Sequence, residues 1–218
     1  MPYVDALLFR HPKRTRIALN IGGIANITVV RPRSKVVAFD TGPGNMVIDA
    51  LAREYTKGTL NYDRGGKIAA SGKVNRELLD RLLHDPYYRR RPPKSAGREQ
   101  YGVEFVARLK ETGLAMPDLI ATATVLTAAT IAKAVRPYGS ADLIVSGGGS
   151  HNPRIMSHLA ALLPQAAAST STDHGIDADA KEAIAFAMLA HETWRRRPSN
   201  LPSATGAQRA VILGSITP

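Results

Sequence analysis

Three glycine-rich turns follow apolar, β-branched stretches in this 218-residue chain. They are Asn20-Ile21-Gly22-Gly23, Asp40-Thr41-Gly42-Pro43-Gly44-Asn45 and Ser146-Gly147-Gly148-Gly149. Glycine lets a backbone turn sharply and approach a ligand with no Cβ in the way. Exposed amides with a helix start beyond them make an anion cradle, so these loops point to phosphate or nucleotide binding. Plain turns, which need glycine for their own geometry, are the competing reading. Asp40 is the sharpest single residue: it ends an apolar run and precedes a stiff Gly-Pro-Gly turn. That is how a general base is held at a cleft edge; an Asx-turn or a helix cap is the alternative. Glu182 lies three residues after Asp179, the spacing of a capping box, and the residue types alone favour that structural role. The six histidines lack metal-ligand spacing, and Ser146 has no nucleophile-elbow pattern around it.

These residues need a scaffold, and the patterning supplies one. Arg16–Ile21 and Ile24–Val30 read as strands of a hairpin joined across Gly22-Gly23, and Lys35–Asp40 as a third strand. Helices are expected over Met46–Tyr55, Val74–His84, Gly102–Thr112, Leu119–Val135, Pro153–Leu163 and Asp179–Trp194. Residues 57–73 read as a loop around a short helix. Ala141–Val145 is the apolar run of a buried strand that feeds directly into the third glycine loop. Ala210–Leu213 is a candidate final strand. Residues 85–98 form a basic, proline-containing loop in which Tyr87 and Tyr88 could stack bases. The expected fold class is α/β or α+β.

Composition bounds the rest. The chain is large enough for one good-sized domain or two small lobes. Without cysteine, a disulfide scaffold, a thiolate metal site and a thiol nucleophile are excluded. No run of about 18 apolar residues is apparent, and the first residues lack the basic start of a secretory signal, so a cytoplasmic protein without a membrane partner is expected. The formal net charge is +11. The positive residues are dispersed and no nucleic-acid-binding motif accompanies them, which weighs against a nucleic-acid partner.

Taken together in order, the motifs resemble those of the anhydro-N-acetylmuramic acid kinases. The resemblance rests on Leu19–Thr28, Phe39–Met46, Ser146–Gly149 with Asn152, Gly175–Ala187, Asn200–Ala207 and Leu213–Pro218. Ser95-Ala96-Gly97-Arg98-Glu99 is similar to a further family motif with one change. The resemblance implies an actin/hexokinase/Hsp70-like ATPase fold, of which residues 1–218 would form a single C-terminal lobe and residues 1–15 the remnant of a preceding lobe or linker. It implies an enzyme that uses ATP and Mg²⁺ to open and phosphorylate 1,6-anhydro-N-acetylmuramic acid, giving N-acetylmuramic acid 6-phosphate in cell-wall recycling. Asp40 would be the catalytic base that activates water. Glu182 and Asn45 would bind the sugar, which overturns the capping preference for Glu182. Asn20, Gly22, Gly23 and Gly42 would face phosphates, and Gly147, Gly148 and Gly149 the nucleotide. A homodimer is one assembly left open. The family's first phosphate loop has no counterpart in residues 1–15, so the chain alone is expected to be inactive or weak. A non-catalytic nucleotide-binding or interaction module is the alternative.

Overall fold

The computed structural model describes residues 1–217. Among the described residues ten α-helices and five strands are formed: α1 (Pro2–Phe9), β1 (Arg16–Ile21), β2 (Ile24–Val30), β3 (Val37–Pro43), α2 (Met46–Tyr55), α3 (Lys67–Ser71), α4 (Arg76–Leu83), α5 (Arg98–Tyr101), α6 (Val103–Lys110), α7 (Met116–Val135), β4 (Asp142–Ser146), α8 (Pro153–Leu162), β5 (Ala167–Thr170), α9 (Lys181–Trp194) and α10 (Pro202–Thr205). The strands make one mixed sheet in the order β3-β2-β1-β4-β5. β1, β2 and β3 are an antiparallel meander, while β4 is parallel to β1 and β5 parallel to β4. The class is α/β, as expected.

Alternation along the strands sends successive side chains to opposite faces. Ile17, Leu19, Ile21, Ile27, Val29, Leu143 and Val145 point into the main core, which α2, α7 and α8 cover. The other face is covered more thinly. Phe9 packs there on Ala18 and Ile144, and Ala6 and Ala204 pack beside Val30 and Ala38. α7 is the central core helix. By length and composition it could cross a membrane, contrary to the reading that no such run exists, but 72% of its apolar window is buried inside the fold. A run interrupted by threonines passes as unremarkable in sequence. Two of those threonines are satisfied locally: Thr122 and Thr124 donate to the carbonyls of Asp118 and Ile120.

Several expectations are corrected. α1, β5 and α10 are formed where no element was foreseen, and Ala210–Leu213 is irregular rather than a strand. β3 is shifted, running from Val37 through Gly42 to Pro43, so Asp40 lies mid-strand and not at the strand's end. β2 holds the strand to that point, because Ala25 pairs with Gly42 and Ile24 with Pro43. The basic loop 85–98 is anchored by its tyrosines. Tyr87 and Tyr88 are only 2% and 9% exposed, which removes them as base-stacking platforms.

Candidate functional site

The three glycine loops converge. Gly44 and Met46 donate backbone hydrogen bonds to the carbonyl of Gly23 at 2.9 and 3.1 Å, and Asn45 donates to that of Gly22 at 2.8 Å. The second loop is thus clamped on the first. Gly44 is required by this approach, since a Cβ there would stand 2.1 Å from the Gly22 oxygen. Thr127 of α7 donates to the Gly44 carbonyl from below, at 2.9 Å. The third loop joins through the parallel pairing of β1 and β4, which sets Asn20 beside Ser146. Gly147 has φ +82°, and a Cβ on it would lie 2.7 Å from Asn20 Oδ1. Asn45 and Gly148 share the wall of a cleft of about 480 Å³ with Asp49, Asn61 and Asn152. Asn152 caps α8, accepting from the amides of Arg154 and Ile155.

Register extends this cradle across the sheet. Ser146 pairs with Asn20, Asn20 with Asn26, and Asn26 with Asp40. Residues directly opposite one another share a face, so these four polar side chains form one row over β4, β1, β2 and β3, on the face that α1 and α9 partly cover. Neighbouring strands are about 4.8 Å apart, so Asp40 lies about 10 Å from Asn20. Asn20, Asn26 and Asp40 are each half-buried. Beyond Ser146 the row continues to Lys181 of α9, whose Nζ donates to Ser146 Oγ at 3.2 Å and approaches Asp5 Oδ1 at 2.8 Å.

Asp40 is held from three sides. One carboxylate oxygen accepts the Ala96 amide at 2.8 Å, its own amide donates to the Lys94 carbonyl at 3.1 Å, and Tyr87 donates its hydroxyl to the Asp40 carbonyl at 2.6 Å. Burial raises the carboxyl above its ordinary value of 3.8; the Ala96 amide opposes that shift and the nearby Glu99 carboxylate adds to it. The group faces a cleft of about 530 Å³ with Asn26, Lys94 and Ser95. This cleft is separate from the one lined by Asn45 and Gly148.

The other named residues fall into place unevenly. Gly23 lines a larger cleft of about 1100 Å³ with Met46, Asp49, Arg98 and Glu99. Gly42 is closely packed: a Cβ there would meet Thr130 and Tyr88 at 3.0–3.1 Å. Gly149 sits against Ile21, where a Cβ would come within 2.2 Å of Cγ2. Glu182 is exposed on the first turn of α9, close enough to the Met1 ammonium to influence its titration. The capping box is absent. The helix begins after Ala180, and Asp177, not Asp179, accepts the amides of Asp179 and Ala180.

Sequence reasoning missed Asn26, Asp49, Glu99 and Lys181. Asn26 could have been found by pairing β2 against β3, and Glu99 stood in a quoted motif without a role. Lys181 also stood in a quoted motif without a role, while Asp49 carried no signal, because only the packing of distant segments gives it its surroundings.

A family model described as anhydro-N-acetylmuramic acid kinase matches residues 1–218. The chain belongs to the anhydro-N-acetylmuramic acid kinase family. A relative of that name from Caldanaerobacter subterraneus subsp. tengcongensis is 41% identical over all of this chain and 58% of its own length. Another, from Streptomyces coelicolor, is 48% identical over 92% of this chain and 52% of its own. The chain therefore spans a little over half the length of these kinases. Among solved structures, an activator of 2-hydroxyisocaproyl-CoA dehydratase from Clostridium difficile with bound ADPNP is similar over 87% of this chain and 67% of its own, at 15% identity and a TM-score of 0.48.

Proposed function

We propose that this chain supplies the nucleotide cradle and the base of an ATP-dependent kinase acting on 1,6-anhydro-N-acetylmuramic acid. The observation that carries the reading is the row Ser146–Asn20–Asn26–Asp40, which joins a glycine phosphate cradle to a fixed carboxylate on one face of the sheet. A spacing of about 10 Å leaves room for a sugar between a bound phosphate and the base. Asn20, Gly22, Gly23, Gly147 and Gly148 supply donors and open backbone to the phosphates, where fixed dipoles stabilise the charge of the transferring group. Asp40 accepts a proton from water, the water oxygen bonds to C1 of the anhydro sugar, and the C1–O6 bond breaks. The freed O6 takes the γ-phosphoryl group, giving N-acetylmuramic acid 6-phosphate and ADP. Asn45, on the wall of the neighbouring cleft, and Glu182, exposed on α9, are assigned to the sugar by the family resemblance alone. Mg²⁺ belongs to this reading as counter-ion of the nucleotide phosphates. Among the described residues no group of three or more metal-ligating side chains is gathered. The action is assigned to the cytoplasm, where nucleotide is available.

A second reading, a nucleotide-binding module that does not turn over, is favoured by one observation. The α9 face that carries Glu182 is open, with Phe186 64% exposed. One experiment separates the two. The chain is incubated with ATP, Mg²⁺ and the anhydro sugar, nucleotide binding is followed by calorimetry, and product by mass spectrometry. Product that falls by about 10²–10⁴ in rate with Asp40→Asn supports the kinase reading. Binding without product is the outcome shared by the module and by the inactive or weak chain expected from the sequence. Absence of nucleotide binding by a folded chain overturns both.

A further inference from the structure

On the opposite side of β3 from the Asp40 carboxylate, a cleft of about 260 Å³ is walled by Phe39, Tyr88 and Tyr138 and carries the cations Arg90, Lys94 and Lys133. We infer that this cleft is a second anion site, separate from the glycine cradle, that takes a small phosphate or phosphomonoester. Two observations support it, one from partners and one from shape.

The first is the state of the three cations. None of them is in an ion pair among the described residues. Lys94 rests its ammonium on the Tyr87 ring at 4.5 Å and the Phe39 ring at 5.5 Å, and donates to the Tyr87 carbonyl at 3.0 Å. Lys133 lies over Tyr88 at 5.9 Å, and Arg90 over Tyr87 at 5.9 Å. Burial, with Lys133 and Arg90 as like-charged neighbours, holds the Lys94 ammonium below its ordinary pKa. Three positive charges gathered without a carboxylate repel one another, and an anion between them removes that repulsion.

The second is the lining. None of the residues that form this cleft is acidic. Asp85, which acts on Tyr88 through its charge, is engaged in capping the Tyr87 amide at 2.8 Å. The two threonines of the wall are also engaged, Thr41 with the Ala25 carbonyl and Thr130 with that of Thr127. Beside the Tyr88 and Tyr138 hydroxyls, the donors left to a ligand are the three cations, which favours a charged acceptor over a neutral polar one. The volume admits a phosphomonoester with a few carbon atoms and is too small for a nucleoside triphosphate. Lys94 is shared with the Asp40 cleft, and its carbonyl accepts the Asp40 amide, so occupancy here would restrain the segment that holds Asp40.

The test titrates the full chain with inorganic phosphate and with glycerol 3-phosphate at fixed ionic strength, with chloride as control. Amide chemical shifts in a ¹H–¹⁵N spectrum are read at Lys94, Lys133 and Tyr138, and separately at Gly147 and Gly148. The expected result is saturable shifts around Lys133 for both phosphates, weakened at least tenfold in Arg90→Gln/Lys133→Gln while the shifts at Gly148 persist. Both substituted side chains are exposed, so the variant keeps its fold, which circular dichroism confirms. Shifts confined to the glycine loops, shifts reproduced by chloride, or shifts unchanged in the double variant would each overturn the site.

Discussion

At the scale of single residues, environment separates carboxylates that the sequence makes look alike. Asp63 is buried but accepts the amides of Ile68 and Ala69 at 2.8 and 2.9 Å, so its charge is satisfied by the start of α3. Asp49, one turn into α2, has no such donors; burial, with Asp63 close by, pushes its carboxyl from 3.8 up to about 6. The folded state therefore binds more protons than the unfolded chain between those two values, and stability falls as pH rises through them. Asp49→Asn is expected to raise stability by about 1 kcal/mol at pH 7–8, allowing for solvent screening, and to leave it unchanged below about pH 4. Thermal midpoints of both proteins across that range check the sign; a gain at acid pH would contradict it. Asp40 titrates in the same raised direction, again chiefly through burial. As a base it acts ionised, so the acid limb of any pH–rate profile is expected above pH 3.8, the ordinary aspartate value. A limb at or below that value would remove Asp40 from the base role.

At the scale of elements, the decisive unit is the clamp between the β1–β2 turn and the segment between β3 and α2. Three backbone hydrogen bonds hold it, and they exist only because residue 44 has no side chain. Gly44→Ala must push the turn away or bend β3, which is expected to cost about 3 kcal/mol in chemical denaturation. Gly58→Ala is the control. That glycine has φ +83° and nothing within 4 Å of a new Cβ, so only local strain of about 1 kcal/mol is expected. Equal costs at the two positions would mean that the clamp is soft.

At the scale of the whole molecule, chain segments far apart in sequence meet at Lys181. Its side chain is 4% exposed, its ammonium paired with Asp5 and bonded to Ser146, while Asp5 accepts from Thr28 at 2.7 Å. The pair therefore ties α1 and α9 to the sheet beneath the polar row. Lys181→Met leaves a buried, unpaired carboxylate and is expected to cost about 3–5 kcal/mol; the double change with Asp5→Leu should recover most of that. A double-mutant cycle by denaturation measures the coupling, and additive losses would show that the pair contributes nothing as a pair. The net charge of +11 reads differently once folded. Tyr87 and Tyr88 are inside, so part of the positive surface gathers around clefts suited to small anions rather than around exposed rings.

Much of this was legible in the residues themselves. The β1–β2 hairpin, the core helices and the strand feeding Gly147 follow from periodicity and glycine placement, which are local properties. Six ordered motifs specified the family, and they did so without any contact being known. The sequence left other matters to the fold. β5 is short and exposed along half its length, and α1 has little amphipathic pattern, so neither announces itself. Asp40 reads as a strand end because glycine and proline follow it; cross-strand pairing with β2 carries the strand on to Pro43. Glu182 and Lys181 are adjacent in sequence, yet helical geometry turns one outward and buries the other. The polar row that joins Asp40 to the cradle needs the register of four strands, and register is fixed by which apolar faces can be buried together. Residue type determined what chemistry was available; tertiary packing decided which groups meet, and how dry their surroundings are.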